Sequence, residues 1–160
     1  MTIKKIITIE EIEGRVLLLK KENKVIVTCN GAFDILHIGH IKFLEEAKQK
    51  GDILIAGLNS DKSVKNNKGP NRPITNEKNR AEFLAALESV DYVVIFNEED
   101  PKYLLSIIKP DIHVNGNEYG YDCIEADVVK ENGGKIHLVK NYGGFSTTKL
   151  LRALSDKHLD

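Results

Sequence analysis

Residues 30–52, "NGAFDILHIGHIKFLEEAKQKGD", decide the fold. They lie between two apolar runs, "KVIVTC" (Lys24 to Cys29) and "ILIAGL" (Ile53 to Leu58). Short continuous apolar runs read as strands covered on both faces. Between them, from about Ile38 to Lys50, Ile41, Leu44 and Ala47 recur on one helical face, and Gly51 follows the last turn. A strand, a helix and a strand predict a parallel pair joined by a right-handed crossover.

The pattern extends in both directions. Upstream, "TIEEIEGRVLLLKKEN" opens on Thr8 with Glu11 three residues later, a capping box at a helix start. Downstream come a helix in "NEKNRAEFLAALESV" and a strand in "YVVIF" (Tyr92 to Phe96). "DPKYLLSII" follows as a helix capped by Asp100 with Pro101 at its first position. "IHVN" (Ile112 to Asn115) is a strand, Ile124 to Asn132 a helix ended by Gly133, and "KIHLV" a fifth strand. "STTKLLRAL" is a last helix capped by Ser146. Phe33, Phe43, Leu44 and Phe83 read as core, and His113 and His137 as packed inside strands. The expected architecture is α/β, a Rossmann-like three-layer sandwich with a five-stranded parallel sheet. The 160 residues are expected to form one domain, residues 1–160, with an N-terminal helical segment, 1–23, packed on it. A chain of this length buries about 68–70% of its unfolded surface, so one core suffices.

Composition excludes several classes. With 23 basic and 24 acidic residues the formal charge is −1, which argues against a general nucleic-acid or anionic-membrane binder. The two cysteines, Cys29 and Cys123, form no CxxC pair and read as small buried hydrophobes in a reducing cytoplasm. No apolar run approaches 18 residues, and the N-terminus turns acidic too early for a signal peptide.

Ligands of open parallel sheets bind beyond the carboxyl ends of the strands, where the strand order reverses. The loops after the first and fourth strands, "NGAFDILHIGH" and "NGNEYGYD", are therefore the functional candidates. A helix start offers unpaired N–H groups and a positive dipole end, which together favour an anion. Gly39 is expected to let a phosphate approach the backbone there, and His37 and His40 to add donors that follow developing charge. Asp34 either orients a histidine or holds a metal. Two further readings of the histidines stand beside this one: helix-terminus residues without a task, and a zinc site, for which a recognisable Cys/His cluster is missing.

Two more segments fit an anion. "NSDKSVKNNKGPNRPIT" carries Lys62, Lys65, Lys68 and Arg72 and reads as a solvated basic loop or, beside a phosphate site, as a mobile lid. Arg80, on the following helix, reads as a surface charge or a weaker site candidate. "GGFSTTKLL" places Ser146, Thr147 and Thr148 at a second helix start, where they either cap the helix or hold phosphate. Two helix starts and a basic segment suggest a triphosphate.

"GAFDILHIGH" resembles the G-x-F-D-x-x-H-x-G-H signature of the cytidylyltransferase-like nucleotidyltransferases, and "STTKLL" resembles their C-terminal S-T-T motif. "KGPNRPI", "NRAEFLAALESVDYVVIF", "VVKENGGKIHLV" and "KIITIEEI" resemble the adenylyltransferase domain of ADP-heptose synthases, from about Lys4 to Leu154. The resemblance implies transfer of the adenylyl group of ATP to D-glycero-D-manno-heptose 1-phosphate, giving ADP-heptose and pyrophosphate for lipopolysaccharide inner core. The same chemistry with another base or acceptor, as in glycerol-phosphate cytidylyltransferase or FAD synthetase, is the alternative.

The resemblance implies catalytic roles for His37, His40 and Lys68. It implies nucleotide and phosphate contacts from Asn30, Gly31, Ala32, Phe33, Gly39, Asn117, Ser146, Thr147 and Thr148. Acceptor contacts would come from Asp34, Arg72, Arg80 and Glu118. Mg²⁺ would arrive with ATP and bridge its phosphates, without a cage of protein ligands. A homodimer is expected, in the cytoplasm, without membrane or nucleic-acid partners. Many relatives fuse the domain to a sugar kinase; none is present here, so the implied form stands alone, with a separate heptose kinase acting upstream. The chain departs from the family pattern at Ala32 and in "VNGNEY", where Asn115 replaces Lys and Glu118 replaces Asp, near the expected nucleoside and acceptor pockets.

Overall fold

The computed structural model describes residues 2–140 and 143–157. Its five strands are β1 (Ile26–Gly31), β2 (Ile53–Asn59), β3 (Tyr92–Phe96), β4 (Ile112–Gly116) and β5 (Lys135–Val139). All pair in parallel in the order β3-β2-β1-β4-β5. The order reverses between β1 and β4, whose Thr28 and His113 stand side by side. The loops leaving these strands therefore diverge and open a crevice at the carboxyl edge.

The helices are α1 (Ile9–Lys21), α2 (Ile38–Lys48), α3 (Asp61–Lys68), α4 (Glu77–Ala86), α5 (Lys102–Ile108), α6 (Ala126–Glu131) and α7 (Thr147–Asp156). Neighbouring strand residues feed two cores, because side chains alternate across a sheet. Val27, Leu54, Ala56 and Val93 meet Leu44 and Ala47 of α2 and Leu84 of α4. Ile26, Ile55 and Val94 meet Ile12 and Val16 of α1 and Leu104 and Ile108 of α5. This is the three-layer arrangement. The segment before α1 is tied to the sheet edge: Ile7 N–H donates to the Val93 carbonyl at 3.0 Å, and Lys5 Nζ donates to the carbonyls of Leu87 and Val90.

Local rules hold where side chains supply the caps. Thr8 accepts from Glu11 N–H while the Glu11 carboxylate accepts from Thr8 N–H, closing the expected capping box. Three expectations change. α5 starts at Lys102; Pro101 occupies its cap position and Asp100 Oδ1 accepts from Lys102 N–H. α6 starts two residues later than expected, and Phe83 lies on the outer side of α4, 51% exposed.

The basic segment after β2 is not an open loop but α3, capped by Ser60 and ended at Gly69 with φ 93°. Its sequence lacks apolar periodicity, and Val64 is its one buried apolar residue. Tertiary hydrogen bonds hold it: Ser60 N–H to the Phe96 carbonyl and Ser63 Oγ to the Glu98 carbonyl.

Arg80 is neither a surface charge nor an acceptor contact. It is fully buried on α4. Its Nε donates to the Thr75 carbonyl, its Nη1 to the carbonyls of Ala32 and Asn59, and its Nη2 to Asp61 Oδ1 at 2.8 Å. One guanidinium thus ties together the loops after β1 and β2, the start of α3 and the approach to α4. Replacing Arg80 with Leu strands three carbonyls and a carboxylate, and should lower the unfolding free energy by about 3 kcal/mol. Urea unfolding reads this as a lower midpoint at an unchanged slope; an unshifted midpoint would show that the clamp carries no stability.

Candidate active site

The first wall is built by the turn between β1 and α2. Phe33 takes a left-handed conformation, φ 45°, which costs a non-glycine residue of order 1–3 kcal/mol. The strain turns its buried ring inward, where it tilts against His40 at 5.4 Å between ring centroids.

His37 is the cap residue of α2. Its Nδ1 accepts from Gly39 N–H at 3.1 Å, and His40 Nδ1 accepts from His37 N–H at 3.3 Å. The two rings stack, 3.8 Å between centroids. A ring nitrogen that accepts carries no proton, so each neutral imidazole keeps its hydrogen on Nε2. Burial pushes the His37 imidazole down from its ordinary value. Burial, then the charges of His37 and Lys68, push His40 down to about 4. Both are uncharged donors near neutral pH.

This revises the expected role of the helix start. Gly39 N–H serves the His37 ring, and the N–H groups of His40 and Ile41 both reach the His37 carbonyl. These three backbone donors are engaged, so the imidazoles present their own N–H groups to the pocket. Gly39 lines the pocket with its N–H turned to the His37 ring. A Cβ there would stand 2.9 Å from the His37 ring, so its missing side chain makes room for that ring.

Asp34 neither orients a histidine nor faces an acceptor with free oxygens. Its carboxylate accepts from Arg72 Nε at 2.7 Å and from the N–H groups of Ile74 and Thr75. Burial alone would raise this carboxyl; the two N–H groups and Arg72 outweigh it and hold the acid below its ordinary value. Arg72 is thereby turned toward Asp34 and does not line the pocket. Lys68, the last residue of α3, does line it. Burial, then the charge of Arg72, hold its ammonium below the usual lysine range.

The opposite wall comes from α7 and the ends of β4 and β5. Ser146 Oγ accepts from Lys149 N–H, and Thr147 and Thr148 follow at the helix start. The pocket between these walls measures about 290 Å³ and opens to solvent. It brings together His37, His40, Lys68, Asn30, Gly31, Ala32, Phe33, Asp34, Gly39, Glu118, Ser146, Thr147 and Thr148. Asn117, Arg72 and Arg80 stand outside its lining. Asn115, Gly116 and Tyr119 of the loop after β4 line it as well, and residues added by the structure are Phe43, Val139, Lys140 and Phe145. The carboxyl-edge rule could have flagged Lys140, which directly follows the fifth strand. Two buried side-chain atoms lack a hydrogen-bond partner among the described residues, Asn30 Oδ1 and Arg72 Nη2. Orphans of this kind mark strain or a missing ligand, and Asn30 lines the pocket.

The family model described as cytidylyltransferase-like matches residues 28–152. The chain belongs to the cytidylyltransferase-like family. As a member of that family it is a nucleotidyltransferase. The bifunctional protein HldE of Aliarcobacter butzleri is 50% identical over 150 residues, 93% of this chain and 31% of the relative. HldE of Geobacter metallireducens is 44% identical over 158 residues, 96% of this chain and 32% of the relative. The cytidylyltransferase-like chain thus spans about a third of the length of the curated relatives it matches. Among solved structures, the lipopolysaccharide core biosynthesis protein of Thermoplasma volcanium aligns with TM-score 0.61 and 31% identity, covering 74% of this chain and 97% of that one. Pantoate-beta-alanine ligase of Francisella tularensis, at 17% identity and TM-score 0.60, shares the fold. No helix among the described residues is long and apolar enough to cross a membrane.

Two outcomes follow from the histidine geometry. Gly39→Ala should displace the His37 ring and lower kcat at least about tenfold, since misplacement on the ångström scale can cost 10²-fold. Far-ultraviolet circular dichroism should stay unchanged, and a wild-type kcat would refute the packing argument.

His40 binds a proton less readily folded than unfolded, so the unfolded chain takes up more protons below pH 6.5. Stability from this group is intact above 6.5 and is lost as the pH falls from 6.5 toward about 4. A His40→Gln chain should lose stability less steeply across that window in urea titrations. Parallel curves for the two chains would contradict the assignment.

Proposed function

We propose that this nucleotidyltransferase joins ATP to D-glycero-D-manno-heptose 1-phosphate, releasing pyrophosphate and forming ADP-heptose. The observation that carries the transfer chemistry is the stacked His37–His40 pair. Each Nδ1 accepts a backbone N–H, so each ring keeps an Nε2 hydrogen for a ligand. The choice of sugar is supported by the motif resemblance and by the identity to HldE chains and the lipopolysaccharide core biosynthesis protein.

The step is a direct displacement. A phosphate oxygen of the sugar 1-phosphate attacks the α-phosphorus of ATP, and an oxygen–phosphorus bond forms. The bond from the α-phosphorus to the bridging oxygen breaks, and pyrophosphate leaves with the electron pair. The attacking oxygen is already ionised, so no general base is required. His37 and His40 donate from Nε2 to the α-phosphate and the bridging oxygen as charge gathers there. Neutral donors suit this role, because they stabilise the developing charge without repelling one another. Lys68 offsets charge on the departing pyrophosphate, and the α7 start with Ser146, Thr147 and Thr148 holds the β and γ groups.

MgATP is the substrate form in this reading. The described residues hold no group of three His, Cys, Asp or Glu able to bind a metal, and Asp34 already accepts three donors. These residues fit an ion carried on phosphate oxygens, where it neutralises charge. A homodimer acting in the cytoplasm after a separate heptose kinase completes the proposal, on the resemblance alone.

Pyrophosphate release should be fastest with ATP and heptose 1-phosphate, absent with free heptose and slow with glycerol phosphate. CTP with glycerol phosphate as the best pair would overturn the assignment. His37→Ala or His40→Ala should lower kcat by about 10²–10³, the scale of losing one preorganised donor. Turnover within a few-fold of wild type would remove the histidines from the chemistry.

A further inference from the structure

Behind the β4 wall lies a chain of buried polar groups that the transfer chemistry does not use. Thr28 Oγ1 stands 2.8 Å from His113 Nδ1, and His113 Nε2 stands 3.1 Å from Glu125 Oε1. Asn115 Nδ2 donates to the same Glu125 oxygen at 2.6 Å. Thr28, His113, Glu125 and Asn115 are each at most 5% exposed. Burial alone would raise the Glu125 carboxyl, but hydrogen bonds from His113 and Asn115 outweigh it and hold the acid below its ordinary value. An ionised carboxylate can only accept. It therefore fixes its neighbours: His113 turns Nε2–H to Glu125 and takes the Thr28 hydroxyl on Nδ1, and Asn115 must turn its NH₂ inward.

The remaining amide atom is Asn115 Oδ1. The Cys123 thiol also hydrogen-bonds the Asn115 amide, and no nitrogen or oxygen donor among the described residues reaches Oδ1. It is not one of the sealed orphan atoms, and Asn115 lines the pocket, so Oδ1 is open to a ligand. Gly116, Tyr119 and Val139 border the same side, with Gly116 paired to Val139 across β4 and β5. These residues are uncharged, and the nearby Glu118 carboxylate disfavours phosphate. The polyphosphate belongs with His37, His40 and Lys68, which leaves the β4–β5 side, where Glu118 and Lys140 carry opposite charges, for the nucleobase.

We propose that Asn115 is a specificity-determining residue whose Oδ1 accepts a hydrogen bond from the exocyclic amino group of the nucleobase, selecting an amino-substituted base over its oxo counterpart. An oxo base would set two acceptors against each other in a largely buried site, and a polar group left unpaired rejects an analogue strongly. Glu125 is a positioning residue, acting through the amide it orients. The inference rests on a nucleoside triphosphate as the donor, but not on the identity of the acceptor.

The test compares ATP with ITP, whose bases differ at the amino position, and CTP with UTP, which differ in the same way. Titration calorimetry of the Mg²⁺ nucleotides needs no acceptor, and kcat/KM is measured beside it. Wild type should favour ATP over ITP by about 10² or more. Asn115→Leu should bring that ratio to within about five-fold, by raising the KM for ATP more than by lowering kcat. Glu125→Gln, which no longer forces the amide inward, should relax the same ratio and guards against a misfolded Leu variant. A purely structural role would weaken both nucleotides equally and leave the ratio intact, and that result overturns the proposal. So does a wild type that binds ATP and ITP alike, unless CTP over UTP shows the preference, which keeps the amino-group reading and moves the base to cytosine. If heptose 1-phosphate fails as acceptor while the binding ratio behaves as expected, the acceptor assignment falls and this inference stands.

Discussion

A guanidinium carries its donors in one rigid plane, and at Arg80 that plane is buried where four segments converge. Two of its contacts are backbone carbonyls at the ends of β1 and β2, the strands that carry the histidine turn and α3. A third is the Thr75 carbonyl. Thr75 is gripped from the other side too, because its N–H donates to Asp34. A buried positive group and a buried negative group are thus linked through one residue, and each has its hydrogen-bonding valence met. Buried charges are tolerated when so satisfied, and they fix the backbone that satisfies them. The histidine turn, the start of α3 and the 72–75 segment all take their positions from these two side chains.

The electrostatics of the pocket depend on what that frame engages. A helix start beside a strand end invites an anion, yet here the cap residue is itself a histidine whose ring takes the backbone N–H. The helix presents ring N–H groups one side chain further out. Stacked at 3.8 Å and close to Lys68, two imidazolium ions would repel each other and the ammonium, so burial and proximity keep the pair neutral. The site therefore mixes positive charge on Lys68 with uncharged, oriented donors. A pentacoordinate phosphoryl group needs this mixture, since its charge grows on oxygens whose positions are known in advance.

Much of this was readable from the order of residues. The strands at 26–31 and 53–59, the Thr8 capping box and the Ser146 cap follow from local rules: burial on both faces makes a run continuously apolar, and a cap depends on groups three residues apart. The crevice between β1 and β4 follows from strand–helix alternation and crossover handedness. Hence His37, His40, Lys68 and the 146–148 segment converge as the motifs suggest. α3 was hidden, because much of its support comes from hydrogen bonds to distant residues, as from Ser63 to Glu98 and from Asn67 to Glu99.

The sequence by itself determined the layers, the edge that carries the pocket and the residue types gathered there, since these rest on periodicity and on spacings of a few residues. Tertiary structure alone decided which polar side chains face the ligand and which face the protein. Arg80 and Asp34 read as binding residues, yet their charges are satisfied by backbone groups from distant loops. Asn115 read as a substitution in a motif, and its amide is oriented by a carboxylate ten residues along the chain on a separate segment. Such outcomes depend on which partners the folded chain brings within about 3 Å, a distance at which hydrogen bonds form and which no local pattern encodes.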